Sequence, residues 1–179
     1  RVRTQVNFIA SEYLQGVLLF EIGNLDWGRD AGGKSGSGSG GGIDADGVNV
    51  ETKRAYLDWI IPNTEVSVRM GIQGLKLPSG PLGSPIMDAD VAGIVVSSPI
   101  NDMFSITGFW IRPFNMHLND GSVAANGGSL DDEMDMFGLV LPIKGDGWAV
   151  TPWGAYTMIG TNSGYYEYMY GTPYNGSKR

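Results

Sequence analysis

The residues most able to do chemistry lie in the first quarter of the chain. Gly28-Arg29-Asp30-Ala31-Gly32-Gly33-Lys34-Ser35 matches GxxxxGK[ST], the pattern whose backbone amides cradle phosphates. That chemistry needs a helix to begin at the serine, so that its first amides point at the anion. The chain instead continues Gly36-Ser37-Gly38-Ser39-Gly40-Gly41-Gly42, and glycine at this density does not start a helix. Residues 28–47 therefore read as a flexible Gly/Ser-rich external loop. The same run contains a GxSxG string, but without the strand-to-helix turn that exposes a nucleophilic serine. Asp44, Asp46 and Asn49 offer oxygen ligands. They lack the glycine at position six and the glutamate at position twelve of a calcium-binding EF-hand loop, so a loose calcium contact stays open and no more. Asp131, Asp132, Glu133 and Asp135 suit a solvated acidic rim that draws cations. His117 is the single histidine, and there is no cysteine, so a zinc site lacks its ligands. No catalytic residue, metal site or cofactor is expected, and the chain is not expected to be an enzyme.

Composition narrows the partners. The 179 residues carry 12 Lys and Arg against 19 Asp and Glu, a net charge of −7, which argues against nucleic acid. Mean hydropathy is −0.08 and no run of eighteen apolar residues occurs, so no helix is expected to cross a membrane. That leaves barrels open, because their strands place apolar residues at every second position and average to neutral hydropathy. The 28 glycines, eight tyrosines and six phenylalanines favour β structure with long irregular loops. Arg1-Val2-Arg3-Thr4 has no apolar stretch behind it and does not read as a secretory leader.

Period-two alternation dominates the chain. In the first segment Val2, Thr4, Val6, Phe8 and Ala10 oppose Arg1, Arg3, Gln5 and Asn7. Gly16–Trp27 is a second strand, with Val17 and Leu19 placing apolar residues on both faces. Val48–Ile61 is a third. Glu65–Gly74 is the cleanest, with Val66, Val68, Met70 and Ile72 against Glu65, Ser67, Arg69, Gly71 and Gln73. Further strands are predicted at Val91–Ser98, Phe104–Arg112, Asp132–Leu141 and Trp148–Ile159. Several reach the length of about 9–11 residues that a tilted membrane strand needs, against about 5–6 in globular proteins. The connections alternate short (Ser11–Gln15, Pro62–Thr64, Pro99–Met103, Ile143–Gly147) and long (Gly28–Gly47, Leu75–Asp90, Pro113–Asp131, and from Gly160). Short turns at one end and long loops at the other are the mark of an up-and-down transmembrane barrel.

The expected fold is thus an all-β, antiparallel up-and-down transmembrane barrel. About eight strands are present, in a single domain over residues 1–179. Both ends of the chain fall on the long-loop side, which points to an internal stretch of a larger barrel of about sixteen strands. The candidate working surface is the polar face. Arg1, Arg3, Arg54 and Arg69 share it with Glu21, Asp58, Glu65 and Gln73. These residues are expected to line a pore, because arginine on the lipid face costs about 2–4 kcal/mol at the bilayer midplane. Tyr165, Tyr166, Tyr168 and Tyr170 read as an aromatic girdle.

The stretches Asn49–Trp59, Pro62–Gly74 and Gly83–Gly93 resemble the outer-membrane homotrimeric porins of sulfate-reducing bacteria. The likeness is motif-like over residues 47–114. It implies a bacterial outer-membrane location, a trimer of water-filled barrels, and passive passage of small hydrophilic solutes and ions. It also makes 75–90, with Asp88 and Asp90, a candidate constriction loop, although an ordinary external loop suits that segment equally. Two other readings fit the pattern. One is a soluble lipocalin-like ligand-binding barrel; the other is a structural barrel that anchors a surface complex. The net charge of −7 favours cations, while the arginines on the polar face favour anions.

Overall fold

The computed structural model describes residues 2–22, 50–79, 84–115, 133–160, 163 and 165. Its described elements are strands: β1 (Val2–Ile9), β2 (Leu14–Ile22), β3 (Val50–Ile60), β4 (Ser67–Lys76), β5 (Asp88–Pro99), β6 (Ser105–Asn115), β7 (Glu133–Val140), β8 (Ile143–Gly145), β9 (Trp148–Val150) and β10 (Trp153–Ile159). Eight of them form one antiparallel up-and-down sheet in the order β1-β2-β3-β4-β5-β6-β7-β10. The sheet is open, with β1 and β10 as its two edges.

The short connections are built from local chemistry. Between β3 and β4 the Thr64 amide donates to the Ile61 carbonyl at 3.1 Å. Pro62 presets the first turn position, and Asn63 takes a left-handed φ of 60°, which Asn tolerates better than most residues. Asn101 closes the β5–β6 connection by accepting from the amides of Met103 and Phe104, each at 2.9 Å. The connection after β7 differs from expectation. It is a small hairpin of its own, β8 paired with β9 around Asp146-Gly147, docked through a bridge between Ile143 and Phe104. Trp148–Val150 therefore belongs to this hairpin, and the following sheet strand begins only at Trp153.

Antiparallel pairing puts directly opposed residues on one face, so each face can be traced across all eight strands. One row runs Phe8, Gly16, Leu57, Met70, Ile94, Trp110, Phe137, Tyr156. Its only polar side-chain groups are the Tyr156 hydroxyl and the Trp110 indole N–H. The flanking row Leu14, Trp59, Val68, Val96, Gly108, Leu139, Gly154 is apolar throughout. This side, the Met70 face, holds most of the exposed large apolar side chains, among them Phe8, Leu57, Ile94, Val96, Phe137 and Tyr156.

The opposite side, the Arg69 face, has two halves. Across β1 to β4 it carries the polar residues, interspersed with Val17, Leu19 and Ile60. Across β5, β6 and β7 it carries the core, formed by Val91, Phe109, Ile111, Met134 and Met136. Leu77 is buried in this cluster, and Met87 and Tyr165 pack against it. The segment joining β4 to β5 is thereby anchored over the Arg69 face at both its ends. Gly138 makes room for the core: the Phe109 ring lies where a β-carbon at 138 would stand.

Candidate functional site

Two parallel rows on the Arg69 face build the most concentrated polar site. The first runs Gln15, Asp58, Arg69, Val95 and the second Ile60, Ser67, Ser97, Thr107. Asp58 and Arg69 sit symmetrically about the four-residue loop Pro62–Glu65, so the hairpin itself sets them side by side. The Arg69 guanidinium donates to Asp58 through Nε at 2.6 Å and through Nη2 at 2.9 Å. This two-point geometry is the strong form of the carboxylate–guanidinium pair. The guanidinium carbon also lies 4.6 Å from the centre of the Tyr56 ring, a cation–π contact. Gln15 adds a longer hydrogen bond to Asp58, at 3.4 Å.

The floor beneath is fixed by Gln73, only 1% exposed, whose amide donates to the Gly93 carbonyl at 3.1 Å. Glycine at 71 is required there. Its φ is 125°, and a β-carbon would run into the Ala55 carbonyl. Ser97 and Thr107 share a hydroxyl–hydroxyl bond of 2.9 Å beyond the pair. Gln15, Asp58, Ser67, Arg69, Gln73 and Ser97 line an open groove of about 410 Å³.

The other expected pore residues scatter. Arg3 pairs with the buried Glu21 at 2.6 Å on the Arg69 face of β1 and β2, where Gln5 also bonds Asn7. Arg54 departs from its period-two placement. A register shift between β2 and β3 at Leu19/Phe20 places Lys53 as an extra residue. The Arg54 side chain then crosses β4 above Gly74 and reaches Asp90 at 2.7 Å. Because Gly74 shares a side with Ile72 and Lys76, the Arg54 guanidinium lies on the Met70 face, away from Asp58 and Arg69. Glu65 is exposed in the turn before β4 and belongs to no strand.

Asp88 and Asp90 likewise stand in β5 rather than in a loop. They oppose Lys76 and Gly74, and the segment between the strands spans only 77–87. Tyr165 meets Phe114 edge-on, at 6.3 Å and 76°, within the core cluster rather than in a girdle. Arg1, residues 28–47, His117, Asp131, Asp132, Tyr166, Tyr168 and Tyr170 lie outside the described residues.

One charged cluster escaped the sequence reading. Arg112 donates to Asp135 at 2.9 and 3.0 Å and to Glu133 at 2.7 Å, and Trp110 Nε1 donates to the same Asp135 at 2.9 Å. Asp135 is buried here, not part of a solvated rim. The available signal was the i, i+2 spacing of Glu133 and Asp135, which puts both on one face opposite a lone arginine. A bulge between Ile111 and Phe114 absorbs Pro113, which has no amide to give the ladder, and turns Phe114 toward the core.

Charges on the Met70 face share one end of the sheet: the Arg54–Asp90, Lys76–Asp88 and Arg112–Asp135–Glu133 groups all lie toward the long connections. Among the described residues no group of three potential metal ligands occurs. No helix among them is long and apolar enough to cross a membrane. No protein-family model, no curated protein and no solved structure matches this chain.

Proposed function

We propose that this chain is a stretch of a transmembrane β-barrel of a bacterial outer membrane. In this reading it is a porin-type channel through which small hydrophilic solutes and ions diffuse passively, assembled as a homotrimer. The observation that carries the reading is the division between the faces. Unbroken apolar rows stay exposed on the Met70 face, with the ion pairs of that face gathered at the long-connection end, while the Asp58–Arg69 and Arg3–Glu21 pairs lie opposite. A water-soluble sheet would bury such rows, since exposed apolar patches of this extent mark a partner or a membrane. In a bilayer the same rows meet lipid and the polar face meets water.

Strand length agrees, with β3 to β6 running 10–12 residues against the roughly 9–11 that a tilted span needs. Lipid tolerates no unpaired sheet edge, so the reading requires β1 and β10 to be paired in the membrane, with each other or with further strands.

The test is planar-bilayer recording on the detergent-purified protein under a salt gradient. Stepwise conductance in groups of three is expected, with the reversal potential giving the ion preference. Insertion without conductance would favour an anchoring barrel. A chain that stays monomeric in buffer without detergent would instead favour a soluble ligand-binding barrel.

A further inference from the structure

We propose that the groove around Asp58 and Arg69 is a subsite for a small neutral polyhydroxylated solute, a sugar or a polyol. As a step in permeation it rests on the channel reading above; as a binding site it does not.

The first argument is charge. Asp58 and Arg69 neutralise each other through two hydrogen bonds. The other ion pair among the described residues of this face, Arg3–Glu21, is also matched. An ion leaving water for a groove needs a net countercharge to offset its lost hydration. This groove offers a dipole instead. A carboxylate and a guanidinium held edge to edge still present acceptor and donor positions side by side, which a hydroxyl, donor and acceptor at once, can use together and an ion of one sign cannot.

The second argument is the alternation of chemistry along the wall. Gln15, Ser67 and Ser97 each supply a group that both donates and accepts, while Ile60 and Val95 place apolar surface between them. A sugar ring has the same character, with hydroxyls around its rim and C–H bonds on its faces. The volume of about 410 Å³ lies in the range of roughly 300–1,000 Å³ typical of small-molecule sites.

The third argument is rigidity. Gln73 locks the floor to the Gly93 carbonyl, and Tyr56 backs the guanidinium. The polar groups are therefore held in place before a ligand arrives, which lowers the entropic cost of binding.

The experiment is calorimetric titration of the detergent-solubilised full chain. The probes are sucrose (neutral), inorganic phosphate (anionic) and magnesium (cationic). Saturable sucrose binding is expected. Q15L and S97V should each weaken it by about fivefold, the loss of one hydrogen bond, while K76Q, on the other face, leaves it unchanged. Q15L alters an exposed side chain, so misfolding does not confound it. Absence of sucrose binding, or binding unaffected by both groove variants, overturns the proposal. So does a preference for phosphate or magnesium that the same variants abolish. Bilayer recording separates the two readings: a conducting chain that ignores sucrose keeps the channel and loses the subsite. Sucrose binding without conductance does the reverse.

Discussion

Replacing Ile94 with arginine tests what the Met70 face touches. Ile94 stands between Met70 and Trp110 in the row that crosses all eight strands, and it is 39% exposed. It lies six residues along β5 from Asp88, the outermost charge on that strand. At ~3.3 Å per residue this is about 20 Å along the strand. A tilt of about 40° reduces it to roughly 15 Å of depth, close to the middle of an apolar band about 25 Å tall. An arginine there costs about 2–4 kcal/mol if the face meets lipid, but stays within about 0.5 kcal/mol if it meets water. I94A subtracts the packing lost with the isoleucine, and N7R places the same charge on the opposite face. The assay is urea unfolding of the vesicle-inserted protein, followed by the fluorescence of its five tryptophans. I94R should fall at least about 2 kcal/mol below I94A, with N7R near the parent. A gap under about 0.5 kcal/mol would refute the membrane assignment of this face.

Three further substitutions test the packing and charge arguments. G138V drives a side chain into the Phe109 ring and should cost about 1–3 kcal/mol in thermal or urea unfolding; parent-like stability would mean that the ring has room to move. R112M strands Asp135 and Glu133 with side-chain exposures of only 12% and 15%. It should cost about 2 kcal/mol, less than the 3–5 of a fully buried pair because Arg112 itself is 28% exposed; a loss below 0.5 kcal/mol, the level of about a surface change, would argue against the cluster. The Arg54–Asp90 pair, 43% and 30% exposed, should show a coupling of less than about 1 kcal/mol in a double-mutant cycle. G74L should abolish that coupling by filling the path between them, and a coupling that survives G74L would rule out the route over Gly74.

Much of the architecture was written in the chain itself. Val68, Met70 and Ile72 against Ser67, Arg69 and Gln73 announce a strand with one apolar and one polar side, because successive side chains point to opposite faces whatever the neighbours are. Pro62-Asn63 announces its own turn, since proline sets one dihedral and asparagine tolerates the next. Counting outward from Pro62-Asn63 as a two-residue turn would set Asp58 against Ser67. The loop actually spans Pro62–Glu65, closed between Ile61 and Val66, and that length is what sets Asp58 against Arg69. Other facts needed the assembled sheet. Parity holds only while the ladder is regular, and the single extra residue at Lys53 was enough to send the Arg54 guanidinium to the other face. Alternation also cannot say what covers a face. The Arg69 side is open and polar at β3 and β4, yet under Leu77 and Met87 it becomes a packed core at Phe109 and Ile111. That difference comes from contacts between segments far apart in the chain, as do the meeting of Arg112 with Asp135 across 23 residues and the placing of Asp90 beside Arg54 across 36. Local dihedral preferences set the strands, their sidedness and one turn; which side chains meet across the sheet was decided by register.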